Sequence, residues 1–171
     1  MQIPVRLALI VIVLAGCVGC DQLSKAAARA CLPEAEVRSL LGDAVRLQRV
    51  ENPGAFLSLG DSLPRPVRAT LFTFAVAALV AGLLCWAALG SALRVPQRAA
   101  IAAIAAGGLG NLIDRIRFDG LVTDFLNVGI GPVRTGIFNV ADVVLMVGVL
   151  LLLTAGSARP PPADGTDGRD G

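Results

Sequence analysis

The sequence predicts a mainly α-helical integral membrane protein with four transmembrane helices and a small β-rich segment outside the bilayer. Of its 171 residues, 55% are hydrophobic and only 16% are charged, whereas soluble domains contain about 25% charged residues. The apolar residues are concentrated in four blocks, and a helix of about 20 residues crosses the hydrocarbon core. Uncommon polar residues lie at the ends of these blocks. We therefore expect a single membrane domain over residues 1–158.

The four expected helices cover about residues 3–20, 69–90, 98–115 and 138–157. The first contains a single charged residue, Arg6, near its start, where a long side chain can reach the membrane interface. The second contains no charge, and the third ends in Asp114 and Arg115. The fourth reaches membrane length only if it includes Asn139 and Asp142. The last two spans therefore bring polar groups to one end of the predicted bundle.

Four crossings place both termini on one side of the membrane and gather the uncommon polar groups on the other side. Those groups are Asp21, Lys25, Asn52, Asn111, Asp114, Arg115, Asp124, Asn139 and Asp142. An excess of Lys and Arg normally marks cytoplasmic loops. The short loop Ser91–Gln97 brings Arg94 and the adjoining Arg98, but the long segment Asp21–Arg68 has seven Lys and Arg of its own. The charge count therefore does not favour placing the polar end outside, although long segments follow the rule less closely.

The segments between the spans predict short strands and turns. Val45–Gln48 and Leu121–Val128 have the pattern of strands, and the Asn-Pro-Gly sequence that ends at Gly54 indicates a turn. Gly129–Gly136 is rich in glycine and is predicted to be a loop. Residues 159–171, rich in Pro, Gly and Asp, are predicted to be a disordered tail. We expect truncation at the start of this tail to be tolerated.

Several classes of function are excluded by composition. The chain has no histidine, which excludes His-based triads and His metal sites. Cys17 and Cys20 have redox or metal spacing, but no second pair exists, and small residues at a helix end are the simpler interpretation. The net charge of +2 and the absence of a basic run with aromatic residues argue against nucleic acid. We expect no metal and no cofactor.

Asp124 and Asp142 are the candidate catalytic residues. They lie on the same side of the membrane and are close in the chain, so they can meet. Two carboxylates that share a water cannot both ionise easily, because like charge raises one pKa. One then serves as acid and the other as base toward a peptide carbonyl. The alternative is a pair of solvated loop and helix-cap aspartates, and the spacing alone does not decide between the two.

Two motifs next to these aspartates have structural as well as functional interpretations. Asp114 and Arg115 form either an interfacial ion pair that ends the third span or a supporting pair that orders the site. Asn139 stands three residues before Asp142, on the same face of a helix start. It can cap that helix or donate a hydrogen bond to a carboxylate, and both interpretations remain open.

The end of the first span carries a third candidate pair. Asp21 and Lys25 are spaced i,i+4, as in a routine helix ion pair, and this segment by itself favours that interpretation. Ala26–Ala30 can extend the helix, and Pro33 would end it.

Five motifs occur in order with suitable spans between them. They are Asp21-x-x-Ser24-Lys25, Asn52-x-Gly54-Ala55, Gly107-Gly108-x-Gly110-Asn111-x-x-Asp114-Arg115, Gly120-x-Val122-x-Asp124-Phe125 and Phe138-Asn139-x-Ala141-Asp142. Each motif alone is weak, but together they cover about residues 4–156. In this combination the chain resembles the bacterial lipoprotein signal peptidase family, also called signal peptidase II.

The resemblance implies an aspartic endopeptidase of the bacterial inner membrane with Asp124 and Asp142 as its catalytic pair. Its substrates would be diacylglyceryl-modified prolipoproteins, cut before the lipidated cysteine, and membrane lipids would be its other partners. Both termini would be cytoplasmic, with a small β-rich cradle and the site near the outer leaflet. We also expect a monomer. Substrate-binding or supporting roles are implied for Asp21, Lys25, Asn52, Gly54, Gly108, Asn111, Asp114, Arg115, Val122, Asn139 and Ala141.

The chain departs from the family pattern at Ala55-Phe56-Leu57, where many relatives have Ala-Ala-Phe. This leaves open how the loop lies over substrate. Two other functions compete with the peptidase. Leu14-Ala15-Gly16-Cys17 resembles a lipobox, and the first alternative is therefore a lipoprotein lipidated at Cys17, although three further membrane-length blocks argue against it. A small transporter or proton-relay protein is the other alternative, because intramembrane carboxylates also mark ion pathways.

Overall fold

The computed structural model describes residues 2–34, 36–53 and 64–156. The helices in these ranges are α1 (Ile3–Cys31), α2 (Arg65–Leu89), α3 (Val95–Arg117) and α4 (Val140–Gly156). The strands in the described part of the chain are β1 (Arg38–Leu40), β2 (Val45–Asn52), β3 (Val122–Ile130) and β4 (Val133–Arg134). The predicted fold class, mainly helical with a small sheet, is confirmed. Gly54, the departure at residues 55–57 and the predicted tail 159–171 lie outside the described residues.

Within the described residues, three stretches of helix are long and apolar enough to cross a membrane, namely Ile3–Cys31, Ala69–Leu89 and Val95–Arg117. Val140–Ala155 is a shorter apolar helix. Much of the helical surface is exposed and apolar, for example Ile12, Phe74 and Leu153. In water such a surface would be costly, whereas in a bilayer it contacts lipid. The exposed apolar side chains therefore agree with a membrane location.

Proline sets several of the helix boundaries. Pro residues occupy the first turn of α1, α2 and α3, where the missing N–H costs nothing. α1 runs past the predicted span 3–20 through Ala26–Ala30, and ends at Cys31, two residues before Pro33. The longer α1 carries Asp21 and Lys25 inside the helix rather than at its end.

α3 is the central helix and packs against α1, α2 and α4. Its inward face is built from small residues that allow close approach of the neighbouring backbones. Ala100, Ala102 and Ala105 are fully buried. A Cβ atom at Gly107 would lie 2.5 Å from the backbone oxygen of Ala141 on α4. The α3–α4 contact therefore depends on glycine at this position.

The strands form one antiparallel sheet in the order β1-β2-β3-β4. β2 is longer than the predicted strand Val45–Gln48, and an irregularity between Leu47 and Val50 shifts its register against β3. The prediction of a loop over Gly129–Gly136 was wrong in part. β4 folds back on β3 within this segment, because Gly131, at φ +56°, and Pro132 form a two-residue connection.

The sheet is fastened to the bundle at the start of α4. The backbone N–H of Phe138 donates to Leu126 O at 2.8 Å, and Leu126 N–H donates to Phe138 O at 2.8 Å. On the other side, Phe125 packs with Ala28 and Leu32 at the end of α1. These contacts hold the strand that carries Asp124 beside the first turn of α4.

Candidate active site

Asp124 lies on β3 and is only 3% exposed. Val50 of β2 pairs with Asp124, so Asn52, two residues along, faces the same side of the sheet. Its side-chain amide donates to Asp124 Oδ2 at 2.9 Å, and the amide of Asn139 donates to Oδ1 at 2.6 Å. Burial raises the pKa of Asp124 to about 6, opposed by the hydrogen bond from Asn52 and reinforced by the charge of Asp142.

Asp142 lies in the first turn of α4 and exchanges hydrogen bonds with Asn139. The backbone N–H of Asn139 donates to Asp142 Oδ2 at 3.1 Å, and the backbone N–H of Asp142 donates to Asn139 Oδ1 at 3.1 Å. This is the reciprocal pattern of a capping box. Both interpretations of Asn139 therefore hold at once, since it caps α4 and also donates to Asp124.

Asn111 on α3 supplies the remaining donor to Asp142. Its Nδ2 donates to Asp142 Oδ1 at 2.9 Å, while its Oδ1 accepts from Lys25 Nζ at 2.8 Å and from Asn139 Nδ2 at 3.1 Å. An ammonium group can only donate, so Lys25 fixes which end of the Asn111 amide faces Asp142. The aspartates thus share a connected set of oriented amides.

A buried ionic network lies behind these amides. Lys25 Nζ contacts Asp21 Oδ2 at 2.9 Å and Asp114 Oδ2 at 3.3 Å, and all three side chains are at most 1% exposed. The predicted i,i+4 pair is present, but it is buried and extended to α3. Among the described residues, Asp114 forms its ion pairs with Lys25 and Arg29. The predicted ion pair between Asp114 and its neighbour Arg115 is not observed, because Asp114 faces α1.

Arg115 faces the opposite side of α3. Its Nη1 donates to Asn111 O at 3.3 Å, and its buried Nε has no hydrogen-bond partner among the described residues. Arg115, Asn111 and Gly108 border a cavity of about 200 Å³ whose remaining walls are apolar side chains of α2, α3 and α4. The cavity therefore has mainly apolar walls, with the polar side chains of Asn111 and Arg115 at its border.

The other predicted site residues have backbone or packing roles. The backbone N–H of Ala141 donates to Asp21 Oδ1 at 2.9 Å, and a Cβ at Gly110 would lie 2.6 Å from Asp21 Oδ2. A Cβ at Gly108 would lie 2.8 Å from Val80. Val122 is buried and pairs with Asn52 in the sheet. Ala141 and Val122 thus each contact another predicted site residue, whereas Gly108 packs against α2 and borders the cavity with Asn111 and Arg115.

Four polar residues of this region were missed by sequence reasoning: Gln22, Arg29, Glu51 and Thr123. Gln22 Nε2 donates to Gly110 O at 3.1 Å. Arg29 follows Lys25 by four residues, so helical spacing was an available signal. Glu51 and Thr123 meet only through the register of β2 on β3, which no local pattern indicates. Within the described ranges, no cluster of three or more acidic or cysteine side chains is arranged to hold a metal ion.

Fold and site together define a helical membrane protein in which two carboxylates at one end of the bundle accept hydrogen bonds from asparagine side chains. Residues 11–157 match the family model described as signal peptidase (SPase) II. The chain belongs to the signal peptidase II family, as its five motifs predicted.

Curated relatives agree with this assignment. The lipoprotein signal peptidase of Bifidobacterium longum strain NCC 2705 is 33% identical over 158 residues, which cover 89% of this chain and 80% of the relative. That of Treponema pallidum strain Nichols is 40% identical over 119 residues, or 67% of this chain and 63% of the relative. A solved bacterial membrane enzyme has a TM-score of 0.76 at 24% identity, covering 88% of this chain and 94% of that one. The last match shows the fold.

Proposed function

We propose that this chain is a lipoprotein signal peptidase of the bacterial inner membrane that works as an aspartic endopeptidase. Family membership and the names of its curated relatives support a membrane peptidase that acts on prolipoproteins. The aspartic mechanism rests on one observation, the side chain of Asn139, which donates to Asp124 and caps the helix turn that carries Asp142. One residue thus holds both carboxylates at a common site.

In the proposed reaction, a water molecule lies between the two carboxylates. One aspartate removes a proton from this water as it attacks the scissile carbonyl, and the other protonates the leaving amine. Burial raises the pKa of Asp124 to about 6, which favours a shared proton near neutral pH. Because interacting carboxyls titrate as a pair, the shared proton belongs to both.

Other polar groups would either orient the aspartates or bind substrate. The side-chain amides of Asn52, Asn111 and Asn139 already donate to the carboxylates. The Nε of Arg115, which has no hydrogen-bond partner among the described residues, would donate to a substrate carbonyl, where a fixed donor stabilises developing negative charge. Asn52, Asn111 and Asn139 would therefore orient the aspartates, and Arg115 would bind substrate.

The location of the site suits a substrate held in the membrane by lipid. Asp124 and Asp142 lie where the sheet meets the ends of the membrane helices. A diacylglyceryl prolipoprotein carries its scissile bond next to its lipid anchor, so a site at the outer leaflet meets that bond without extracting the lipid. We assign four crossings, both termini to the cytoplasm and cleavage to the peptide bond before the lipidated cysteine.

The test is cleavage of a lipidated prolipoprotein by purified protein in detergent. Wild type should cut before the lipidated cysteine, and Asp124→Asn and Asp142→Asn should be folded and inert. Asp119→Asn is the matched control, because Asp119 is an exposed turn residue shortly before β3, and it should cut at the wild-type rate. Full activity in either catalytic variant would exclude the aspartic mechanism. Absence of wild-type cleavage under conditions where a known peptidase cuts would exclude the function.

A further inference from the structure

Thr123 is a buried polar residue to which the proposed reaction assigns no task. It directly precedes Asp124 on β3, so its side chain points to the opposite face of the strand, and it is fully buried. Its hydroxyl accepts a hydrogen bond from Arg29 Nε at 3.1 Å and donates one to Glu51 Oε2 at 3.0 Å. Its backbone N–H donates to Asp114 Oδ2 at 3.1 Å. Thr123 thus contacts α1, β2 and α3 at a single point.

Each partner of Thr123 is itself held in place. Arg29 Nη2 pairs with Asp114 Oδ1 at 3.1 Å, and the guanidinium lies 4.1 Å from the centroid of the Phe118 ring. Glu51 stands directly opposite Thr123 in the β2–β3 register. A hydroxyl can donate a single hydrogen bond, and here Glu51 accepts it. The threonine side chain therefore fits this position better than valine, which has the same shape but no polar atom.

We propose that Thr123 is a positioning residue that holds β3 so that Asp124 meets Asn52 and Asn139. A shift of about 1 Å in a reacting group can cost on the order of 100-fold in rate, and Asp124 is the next residue along the same strand. The hydroxyl resists sliding of β3 against α1 and β2, because any slide breaks both of its hydrogen bonds. This inference rests on the proposed function, since it concerns the alignment of one of the proposed catalytic aspartates.

The primary experiment compares Thr123→Val with Thr123→Ser in the prolipoprotein assay. We expect Thr123→Val to lower kcat about 10-fold with KM within about twofold, because alignment of a catalytic group affects the transition state more than substrate binding. Thr123→Ser keeps the hydroxyl and should recover kcat to within about threefold of wild type. Thr154→Val is the matched control: its hydroxyl bonds to Leu150 O within α4, near the other end of that helix, and kcat should stay at the wild-type value.

A second variant covers the case in which Thr123→Val does not fold. Glu51 is partly exposed, so Glu51→Ala should fold, and removing the acceptor should lower kcat about threefold with KM unchanged. Where both fold, Glu51→Ala should cause no further loss in the Thr123→Val background, because the two act through one hydrogen bond. Wild-type kcat in Thr123→Val or in Glu51→Ala would overturn the proposal. Wild-type cleavage together with an inert Asp124→Asn would leave the proposed function standing in that event.

Discussion

Asn139 and Asp124 are joined by a hydrogen bond of 2.6 Å from Nδ2 to Oδ1. Asn139 comes from the turn before α4 and Asp124 from β3, so this bond fixes the strand to the helix that carries Asp142. The other atom of the same amide, Oδ1, accepts the backbone N–H of Asp142 at 3.1 Å. Because one atom of this amide donates a hydrogen bond and the other accepts one, aspartate, which has a similar shape but carries two oxygens, cannot replace asparagine here.

Asn139→Asp therefore tests whether this amide organises the site. The variant loses the donor to Asp124 and adds a carboxylate beside Asp124, and like charges at such distances repel. We expect kcat for prolipoprotein cleavage to fall about 100-fold, the scale of a misplaced catalytic group. The matched control is Asn127→Asp, which alters a cradle amide bonded to Thr135 O and Arg134 and should stay within about threefold. Equal activity of the two variants would contradict the organising role of Asn139.

The raised pKa of Asp124 predicts a pH dependence of stability. In the folded protein, Asp124 keeps its proton up to about pH 6, whereas the ordinary pKa of an aspartate is 3.8. The contribution of Asp124 to the free energy of unfolding is therefore fully present below about pH 4 and is lost as the pH rises through 6. A change of about two pKa units corresponds to about 3 kcal/mol. The thermal midpoint of wild type in detergent should fall between pH 4 and pH 7.

Asp124→Asn removes this titration, so its midpoint should depend less on pH over the same range. Asp119→Asn, which changes an exposed aspartate, should keep the wild-type slope. Carboxyls that do not interact with Asp124 contribute equally to wild type and to Asp124→Asn, so their contributions cancel in that comparison. A wild-type slope in Asp124→Asn would show that the pKa of Asp124 is not raised by folding.

The sequence predicted which residues gather, and the structure explains why it could not predict how they pair. Helical spacing and the parity of four spans place Asp21, Asn111 and Asp142 at one end of the bundle. The contact of Asn52 with Asp124 depends on strand register, and the irregularity before Val50 changes that register. A shift of one residue would turn Asn52 to the other face of the sheet. Local patterns do not encode such a shift.

The ionic network shows a similar limit. Sequence spacing predicted the pair of Asp21 and Lys25 but treated it as a routine helix pair, because burial of a lysine is not visible in a motif. The additional partner of Lys25 is Asp114, 89 residues further along the chain. Only the packing of α1 on α3 brings the two together. Asp114 and Arg115 were predicted to pair because they are adjacent in the sequence. Neighbouring helical side chains point in different directions, however, and only the packing of α1 on α3 gives Asp114 its partners.

Lys25→Met is expected to destabilise the protein strongly. The variant leaves Asp21 and Asp114 buried without the cation that lies 2.9 Å and 3.3 Å from them, and breaking a buried ion pair costs about 3–5 kcal/mol. Thermal unfolding in detergent measures this cost. Arg38→Met is the control, because Arg38 pairs with Glu36 at the surface and exposed pairs contribute at most about 1 kcal/mol. Similar midpoints for the two variants would mean that the network does not hold α1 on α3.

The proposed topology places the two ends of the helix bundle on opposite sides of the membrane. Cys31, exposed at the end of α1, lies on the active-site side of the bundle, and Ser91, exposed in the turn after α2, lies at the opposite end with Arg94 and Ala155. With four crossings and an outward-facing site, Cys31 faces the outside and Ser91 the cytoplasm. A membrane-impermeant maleimide should then label a variant that retains only Cys31 in intact spheroplasts. It should label a variant whose single cysteine comes from Ser91→Cys only after lysis.

Each outcome of this labelling tests a different part of the assignment. Reversed labelling would contradict the orientation while keeping four crossings, and it would agree with the seven Lys and Arg of the segment Asp21–Arg68. Labelling of both positions from the same side would contradict the membrane crossing of α2. Labelling of Cys31 alone in intact cells would place Asp124 and Asp142 at the outer surface. A prolipoprotein presents its scissile bond there once its signal sequence has crossed the membrane, so this result would also support the proposed access of substrate.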